Sequence, residues 1–342
     1  MYIIGSFEID VVQYRGDSYI IGLEQGKEID SELLDKFSIF ENARFNLDGA
    51  IEVFRRFAPH LLDEIEGLAD GLQIPFTQAA SMFSGYDIPK IKGMGCSSVV
   101  NQDFAVRNYD FSPELYDQRF VLVQSKDCLA SVGHSLHVLG RHEGVNEMGL
   151  FIALHFVNND KPRVGLTAPT VVRIVLDMCE NTNDAVKLLT ELPHSWSYNF
   201  SVGDRSGETV IVEASPFSVK VRKNTETLTC TNHFQHDEMM KQNRMDHTYS
   251  FERNTSLEKK NVNELGMTEV FEWFRTPDSE MFYNDYQEFF GTLHTFGYSF
   301  NDNLVYTSIP YGETIVVDWG RWLNGYDITA TLIKGQLIQK SL

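Results

Sequence analysis

Cys96 follows a glycine and precedes two serines in the stretch Gly95-Cys96-Ser97-Ser98. Arg107 and Asp110 come soon after it, in Val106-Arg107-Asn108-Tyr109-Asp110-Phe111. A thiolate is a strong nucleophile, and a fixed cation beside a thiol lowers its pKa. A carboxylate can hold an ammonium group by a charge-assisted hydrogen bond. These residue types suit the attack of a cysteine on a carbonyl carbon.

The spacing predicts that the three side chains meet. Ser97–Asn101 and Phe104–Asn108 are short β-rich runs, so a hairpin between them would return Arg107 and Asp110 to the side of Cys96. A lone Gly-Cys would carry little weight, because cysteine usually packs as a small buried apolar residue. Without the cysteine nearby, Arg107 and Asp110 would be interpreted as an ordinary salt bridge across a hairpin.

A free amine on Cys96 would supply the base that such an attack needs. The pKa of a thiol is about 8.5 and that of a protein α-amine is about 7.7–8.0, so the amine can take the thiol proton and pass it to a leaving nitrogen. Gly95 suits the residue before the cut, because glycine tolerates the backbone distortion that lets a thiol attack the preceding carbonyl. The pattern predicts cleavage between Gly95 and Cys96.

The elements that must position these residues change character at this point. Residues 1–14 indicate short strands, residues 30–85 are helical in pattern, and residues 87–95 form a connector. After Gly95 come strands, two helices over 170–180 and 184–192, and further strands, with a strand also expected at 137–140. Strands in series with grouped helices predict an α+β protein with stacked antiparallel sheets covered by helices. The expected division is a helical segment over 1–95, packed on a catalytic unit over 96–342.

Composition excludes several classes of function. The 342 residues carry a net charge of −19, which disfavours binding to nucleic acid and to anionic membranes. The first ten residues lack the features of a signal peptide, and no run is long enough to span a membrane. Four widely spaced cysteines predict a reducing, cytoplasmic location. We expect no cofactor and no metal, since the lone HxxH at His233 and His236 is a weak signal.

Five blocks in order resemble the acyl-CoA:6-aminopenicillanate acyltransferase family, which is grouped with choloylglycine hydrolases, penicillin V acylases and acid amidases. The first two are the stretches around Cys96 and Arg107 already quoted. The others are Gly144-Val-Asn146-Glu147-Met-Gly149-Leu150, Val212-Glu213-Ala-Ser215-Pro216 and Cys230-Thr231-Asn232-His233-Phe234. A weaker resemblance to the family is found in Gly291-Thr292-Leu293-His294-Thr295, and Gly22–Gly26 is similar to the family's N-terminal segment.

This resemblance implies a four-layer αββα sandwich of the N-terminal nucleophile hydrolase type. It implies Cys96 as nucleophile with Arg107 and Asp110 close by, and Asn232 as a donor to the oxyanion; from position alone, Asn232 would be a turn residue. His155 stands where relatives often carry Asn near a second oxyanion contact. Arg253 is the candidate for the family's later arginine, whereas position alone predicts an exposed helical arginine.

The sequence leaves three functions open. Water would resolve an acyl-thioester on Cys96 in an amide hydrolase, and an amine would resolve it in an acyltransferase, so the partner is a small amide or an acyl-thioester. The third is a non-catalytic binding protein on the same scaffold, with Cys96 inside an intact chain. Assembly into a homo-oligomer also stays open.

Overall fold

The computed structural model describes residues 2–90, 95–159, 161–223, 227–244, 248–288 and 290–339. The connector expected over 87–95 therefore lies partly outside the described residues. The helices are α1 Ser18–Glu28, α2 Ser31–Ser38, α3 Leu47–Phe57, α4 His60–Leu72, α5 Phe76–Phe83, α6 Ala168–Met178, α7 Thr182–Glu191, α8 Thr248–Lys259, α9 Met267–Arg275 and α10 Trp319–Leu323.

The strands come in groups between groups of helices along the chain. They are β1 Tyr2–Gly16, β2 Tyr86–Asp87, β3 Gly95–Val100, β4 Phe104–Phe111, β5 Arg119–Ser125, β6 Ser131–Leu136, β7 Gly140–Arg141, β8 Glu143–Asn146, β9 Phe151–Phe156, β10 Gly165–Leu166, β11 Tyr198–Gly203, β12 Thr209–Ala214, β13 Val219–Arg222, β14 Leu228–Cys230, β15 Asn284–Asp285, β16 Phe290–Ser299, β17 Leu304–Ser308, β18 Ile315–Asp318 and β19 Leu332–Gln339.

Two sheets form the centre of the molecule. The larger runs in the order β13-β12-β11-β9-β8-β6-β5-β1-β19, and the other in the order β14-β3-β4-β16-β17-β18. The sheets face each other where β3 contacts β9 and β11, and where β12 contacts β14. The residues of β3, β4, β9 and β11 are buried along the whole of each strand, as expected when both faces of a sheet are covered.

Helices cover the outer faces of both sheets. α6 lies on β8 and β9 and α7 on β12, while α8 lies on β3 and β14 and α9 on β4 and β16. The layers are therefore helix, sheet, sheet and helix. The prediction of an α+β protein with a four-layer αββα sandwich is confirmed.

The N-terminal region contributes a strand to the larger sheet as well as helices. The short strands expected over 1–14 are one strand, β1, which pairs parallel with β5 and antiparallel with β19. α1, which the sequence pattern did not predict, packs against α4. A Cβ on Gly22 would lie 1.9 Å from the Glu64 carbonyl oxygen, and one on Gly67 would lie 1.9 Å from the Tyr19 carbonyl oxygen. The two helices approach this closely because neither glycine has a side chain.

The prediction of a strand at 137–140 is wrong. His137 and Val138 have φ angles of 58° and 62°, in the left-handed region that a strand does not use. The Asp117 carboxylate accepts the backbone N–H of His137 at 3.0 Å and that of Val138 at 2.7 Å, which fixes a turn here. The strand lies just before this turn, as β6.

The helices found within the described ranges are all too short or too polar to cross a membrane.

Candidate active site

Cys96 lies near the start of β3, with its side chain between the two sheets. The β3–β4 hairpin predicted from the sequence is present, and its register pairs Cys96 with Tyr109 and Ser98 with Arg107. Alternate residues of a strand face the same side, so Cys96 and Arg107 share the inner face. The Cys96 side chain is completely buried. Burial raises the pKa of its thiol, and the nearby Arg107 cation opposes that rise.

Arg107 is the cationic side chain that contacts the sulfur of Cys96. Its Nη2 lies 3.1 Å from Cys96 Sγ and donates to the Leu154 carbonyl oxygen at 3.0 Å. Its Nη1 donates to the Glu143 carboxylate, and both of these residues are fully buried. The guanidinium is therefore held between an anion on one side and the thiol on the other.

The backbone of Cys96 is held by a second set of residues. Its N–H donates to Asn232 Oδ1 at 2.9 Å, and its carbonyl oxygen accepts from Arg253 Nη1 at 2.6 Å. Arg253 also donates to Ser97 Oγ at 2.9 Å and, through Nη2, to Asn232 Oδ1 at 2.6 Å. Arg253 is buried, with 2% of its surface exposed, so the exposed position expected from its place in the sequence alone is wrong.

Asp110 lies on the other face of β4, opposite Gly95. Its Oδ1 accepts from Thr292 Oγ1 at 2.7 Å. Its Oδ2 accepts no hydrogen bond from the described residues, and the nearest cation is Arg253 Nη1 at 3.8 Å. Burial raises the pKa of Asp110, against the attraction of Arg253 and the hydrogen bond from Thr292. A buried carboxylate oxygen with a free acceptor position suits a cationic partner.

Gly95 has no space for a side chain. A Cβ there would lie 2.4 Å from Phe290 Cε2 and 3.0 Å from the Cβ of Asp110. This steric reason adds to the conformational one that the sequence suggested.

Asn232 contacts the backbone of Cys96, and His155 contacts Ser98, two residues further along β3. Asn232 follows β14, and its Nδ2 donates to the Phe156 carbonyl oxygen at 2.9 Å, which leaves its second amide hydrogen for another acceptor. His155, on β9, lies with Nε2 3.1 Å from Ser98 Oγ and 3.0 Å from Ser201 Oγ. Burial holds the pKa of His155 well below its usual value, so its ring is neutral near pH 7.

The sequence did not reveal a buried cluster behind Arg107. Glu143 accepts from His134 Nδ1 at 2.8 Å and from His294 Nε2 at 2.9 Å, and Tyr116 Oη lies 2.6 Å from His294 Nδ1. Two signals were available: Glu143 directly precedes the Gly144–Leu150 block, and His294 lies in the Gly291–Thr295 block. Neither signal says that the two residues meet.

Two clusters within the described ranges have residue types that can bind a metal: His134, Glu143 and His294, and His60, Cys128 and Asp177. In each cluster the carboxylate already pairs with an arginine, since Arg107 contacts Glu143 and Arg173 contacts Asp177 at 2.7 Å. A buried guanidinium on the same carboxylate disfavours a second cation there. The geometry therefore favours ion-pair networks over metal sites.

An apolar pocket of about 620 Å³, including its open mouth, lies near the site around Cys96. Its apolar lining includes Phe40, Met82, Ile88, Leu136, Phe156 and Tyr198. Phe156 links the pocket to the site, because its carbonyl oxygen accepts from Asn232. Lys90 holds the wall formed by residues 85–90, since its Nζ donates to the carbonyl oxygens of Ile39, Phe40 and Glu41, each at 3.1 Å.

The solved structures most similar to this chain share little sequence with it. They include a mutant of conjugated bile acid hydrolase from Clostridium perfringens (11% identity, TM-score 0.44, 67% of this chain and 93% of that one). Penicillin V acylase from Agrobacterium tumefaciens has 14% identity and a TM-score of 0.42, over 66% of this chain and 86% of that one. The N-acylethanolamine-hydrolyzing acid amidase ortholog of Caenorhabditis elegans has 14% identity and a TM-score of 0.38, over 60% and 92%. Among curated protein sequences, none matches.

A family model gives the stronger finding. The model described as acyl-coenzyme A:6-aminopenicillanic acid acyl-transferase matches residues 99–312, which is more than half of the chain. The match covers Arg107, Asp110, Asn232 and Arg253, the residues that surround Cys96 in the structure. The chain is a member of the acyl-coenzyme A:6-aminopenicillanic acid acyl-transferase family.

Proposed function

We propose that this protein cleaves or forms linear amides through an acyl-thioester on Cys96, after the chain cuts itself between Gly95 and Cys96. The observation that carries this proposal is that both the sulfur and the backbone nitrogen of Cys96 are contacted by a polar side chain. Arg107 Nη2 lies 3.1 Å from its sulfur, and Asn232 Oδ1 lies 2.9 Å from its backbone nitrogen. The nitrogen that would become the free α-amine is thus already held in place beside the thiol.

Self-cleavage would begin at the thiol. Cys96 Sγ attacks the Gly95 carbonyl carbon, the peptide C–N bond breaks, and the nitrogen of Cys96 takes up the proton as a free amine. Water then hydrolyses the resulting thioester, which leaves a carboxylate on Gly95 and returns the thiol. Arg253, which donates to the Cys96 carbonyl oxygen at 2.6 Å, would hold the backbone of Cys96 in place during the attack.

In turnover the new α-amine acts as the base. It takes the thiol proton as Sγ attacks the substrate carbonyl, and it delivers the proton to the leaving amine. Asp110 Oδ2 is the acceptor available to the transient ammonium, and the second amide hydrogen of Asn232 is a donor for the developing oxyanion. Water or an acceptor amine then resolves the thioester and restores the thiol.

The pocket beside Phe156 supports an apolar acyl group as the part of the substrate that is recognised. Its lining is mostly aliphatic and aromatic, as in sites that bind apolar groups. Burial of an acyl chain there would contribute about 0.8 kcal/mol per methylene. The proposed substrate is therefore an amide or thioester of an apolar acid.

Transfer and hydrolysis share this acyl-enzyme and differ in the acceptor. The family's description supports transfer from an acyl-CoA to an amine. Incubation with an acyl-CoA and 6-aminopenicillanic acid separates the two activities, because an amide product indicates transfer and free acid alone indicates hydrolysis.

The four cysteines are unpaired, which supports our placement of the protein in the reducing cytoplasm.

The decisive experiment is the intact mass of the freshly purified protein under denaturing conditions. We expect two pieces of about 11 and 28 kDa in place of the 39.1 kDa chain. Cys96→Ala should stay whole. Cys179→Ala, which removes another buried cysteine outside the site, should be cut like the wild type. If wild type and Cys96→Ala both stay whole, Cys96 has no free amine and the alternative of a non-catalytic binding protein gains support.

A further inference from the structure

The carboxylate of Glu143 is the meeting point of a buried hydrogen-bond network. Its Oε2 contacts Arg107 Nη1 and lies 2.9 Å from His294 Nε2, and its Oε1 lies 2.8 Å from His134 Nδ1. Glu143, His134 and His294 have no exposed surface, and the two imidazole rings stack with centroids 3.7 Å apart. The backbone N–H of His134 also donates to Oε1 at 3.3 Å, so four donors fix one carboxylate where water cannot compete.

The far side of each ring shows which way the hydrogen bonds run. Tyr116 Oη lies 2.6 Å from His294 Nδ1, and Thr307 Oγ1 lies 3.1 Å from His134 Nε2. If each hydroxyl donates to the nitrogen it faces, each ring is neutral and donates its other N–H to Glu143. Burial lowers the pKa of both histidines, that of His294 to about 3, in agreement with neutral rings. Burial opposes ionisation of Glu143, yet His294, Arg107 and His134 together hold its pKa well below its usual value.

Arg107 depends on this carboxylate for its position. Its other hydrogen-bond partners are Cys96 Sγ and the Leu154 carbonyl oxygen, both through Nη2, and its Nε has no hydrogen-bond partner among the described residues. A buried guanidinium needs a matched anion, and Glu143 is the carboxylate in contact with it. We propose that Glu143 is a positioning residue that fixes the Arg107 guanidinium against Cys96 Sγ, and that His134 and His294 hold Glu143 in turn.

The same atoms do not favour a metal site. A metal bound by His134, Glu143 and His294 would displace the hydrogen bonds that both rings make to the carboxylate, and it would place a second cation beside a buried guanidinium. Each histidine also has a hydroxyl partner on its other nitrogen. The hydrogen-bond partners of His134, Glu143 and His294 together indicate a cluster that positions Arg107.

Position and charge make opposite predictions for two variants of Glu143. Glu143→Asp keeps the negative charge but withdraws it by one methylene, so Arg107 loses its anchor. Glu143→Gln removes the charge but keeps an oxygen for Arg107, and the His134 ring can accept from the new amide by changing its tautomer. The long hydrogen bond from the His134 backbone N–H, at 3.3 Å, is the one that this variant loses. If Glu143 positions Arg107, the aspartate variant raises the pKa of the Cys96 thiol and the glutamine variant does not. If Glu143 acts only through its charge, the aspartate variant titrates like the wild type.

The measurement is the rate of iodoacetamide alkylation of Cys96 against pH in the full chain, located by mass spectrometry of the Cys96 peptide. Several groups bear on the thiol and are unchanged in these variants: Arg107, Tyr109, Asp110, His155, Cys230 and Arg253. We expect the midpoint for Glu143→Asp to rise by about one pH unit, the size of effect given by a neighbouring charge. The midpoint for Glu143→Gln should stay at or below that of the wild type.

Self-cleavage gives a second readout. A Glu143→Asp chain that stays whole, beside Glu143→Gln and wild-type chains that are cut, supports the inference, because less thiolate is available to attack Gly95. Glu64→Asp is the matched control, since Glu64 is a buried glutamate that pairs with Arg173 at 2.6 Å in a separate network. It should lose stability without shifting the midpoint.

This inference rests on the proposed function, and the two can fail separately. A wild-type chain that is neither cut nor alkylated at Cys96 overturns the proposed function. A wild-type chain that is cut and alkylated, with Glu143→Asp identical to it in both readouts, overturns only the role of Glu143. An equal upward shift in Glu143→Asp and Glu143→Gln also contradicts that role.

Discussion

Two arginines hold different parts of Cys96. Arg107 lies on the inner face of the hairpin and contacts the Cys96 sulfur. Arg253 comes from α8 on the outer face and donates to the Cys96 carbonyl oxygen. Arg253 also reaches Asn232, which in turn accepts from the Cys96 backbone N–H. The side chain and the backbone of the proposed nucleophile are thus fixed from opposite faces of one strand.

The role of Arg253 can be tested by Arg253→Lys. An ammonium group is a single point of donation and cannot replace a fork that serves Cys96 O, Ser97 Oγ and Asn232 Oδ1 together. We expect CoA release from an acyl-CoA to fall about 100-fold, the scale of losing one positioned donor in such sites. Arg205→Lys, at an exposed arginine that contacts Tyr298, should keep nearly full activity. Wild-type rates in Arg253→Lys would contradict this role.

The sequence located part of the site because that part is local. Cys96, Arg107 and Asp110 lie within 15 residues of one another, and two short strands with a tight turn bring them together. Arg253 and Glu143 reach the site through contacts that only the packed layers create, since Arg253 follows Cys96 by 157 residues. Strand and helix patterns fix which face a residue occupies, but they do not fix which layers meet.

The close packing of α1 against α4 is an element-scale feature that sequence patterns did not reveal. Gly22 and Gly26 weaken the helical pattern of α1, since glycine has a low helix propensity. The structure explains their presence, because a Cβ on Gly26 would lie 2.6 Å from the Leu68 carbonyl oxygen. The turn at His137 was missed for a similar reason, because the Asp117 carboxylate that fixes it lies 20 residues earlier.

Gly67→Ala tests this helix contact. Alanine favours a helix over glycine by about 1 kcal/mol, yet the new Cβ would lie 1.9 Å from the Tyr19 carbonyl oxygen. Backbone cannot yield as a flexible side chain can, so we expect the clash to prevail and the free energy of unfolding to fall by about 1–3 kcal/mol. Urea denaturation measures it. Gly5→Ala, where a Cβ meets nothing within 4 Å, is the control, and equal stability of the two variants would refute the prediction.

Buried histidines give the whole molecule a sensitivity to acid. Burial lowers the pKa of six histidines from the ordinary value of 6.5: His134, His137, His142, His155, His194 and His294. Below pH 6.5 the unfolded chain therefore binds more protons than the folded one, so stability falls as the pH falls. The loss is up to about 1.4 kcal/mol per histidine for each pH unit, until the folded-state pKa is reached.

We expect the urea midpoint to be lower at pH 5.5 than at pH 7.5. The net charge of −19 works in the other direction, because acid reduces repulsion among surface carboxylates. His194→Gln removes one of these histidines outside the site and should reduce the difference between the two midpoints. A midpoint that rises on acidification would show that surface repulsion outweighs the histidines.

The place of β1 limits how a protein cut before Cys96 could be produced. A cut before Cys96 would leave β1 on the small piece, hydrogen-bonded on both edges to β5 and β19 of the large one. The nicked molecule would then travel as a single particle in gel filtration and come apart only on denaturation. A gene that starts at Cys96 would yield a sheet with a missing internal strand and two open edges, which favours aggregation. If the proposed cleavage occurs, the cut form would have to be produced from the uncut chain, or from the two fragments expressed together.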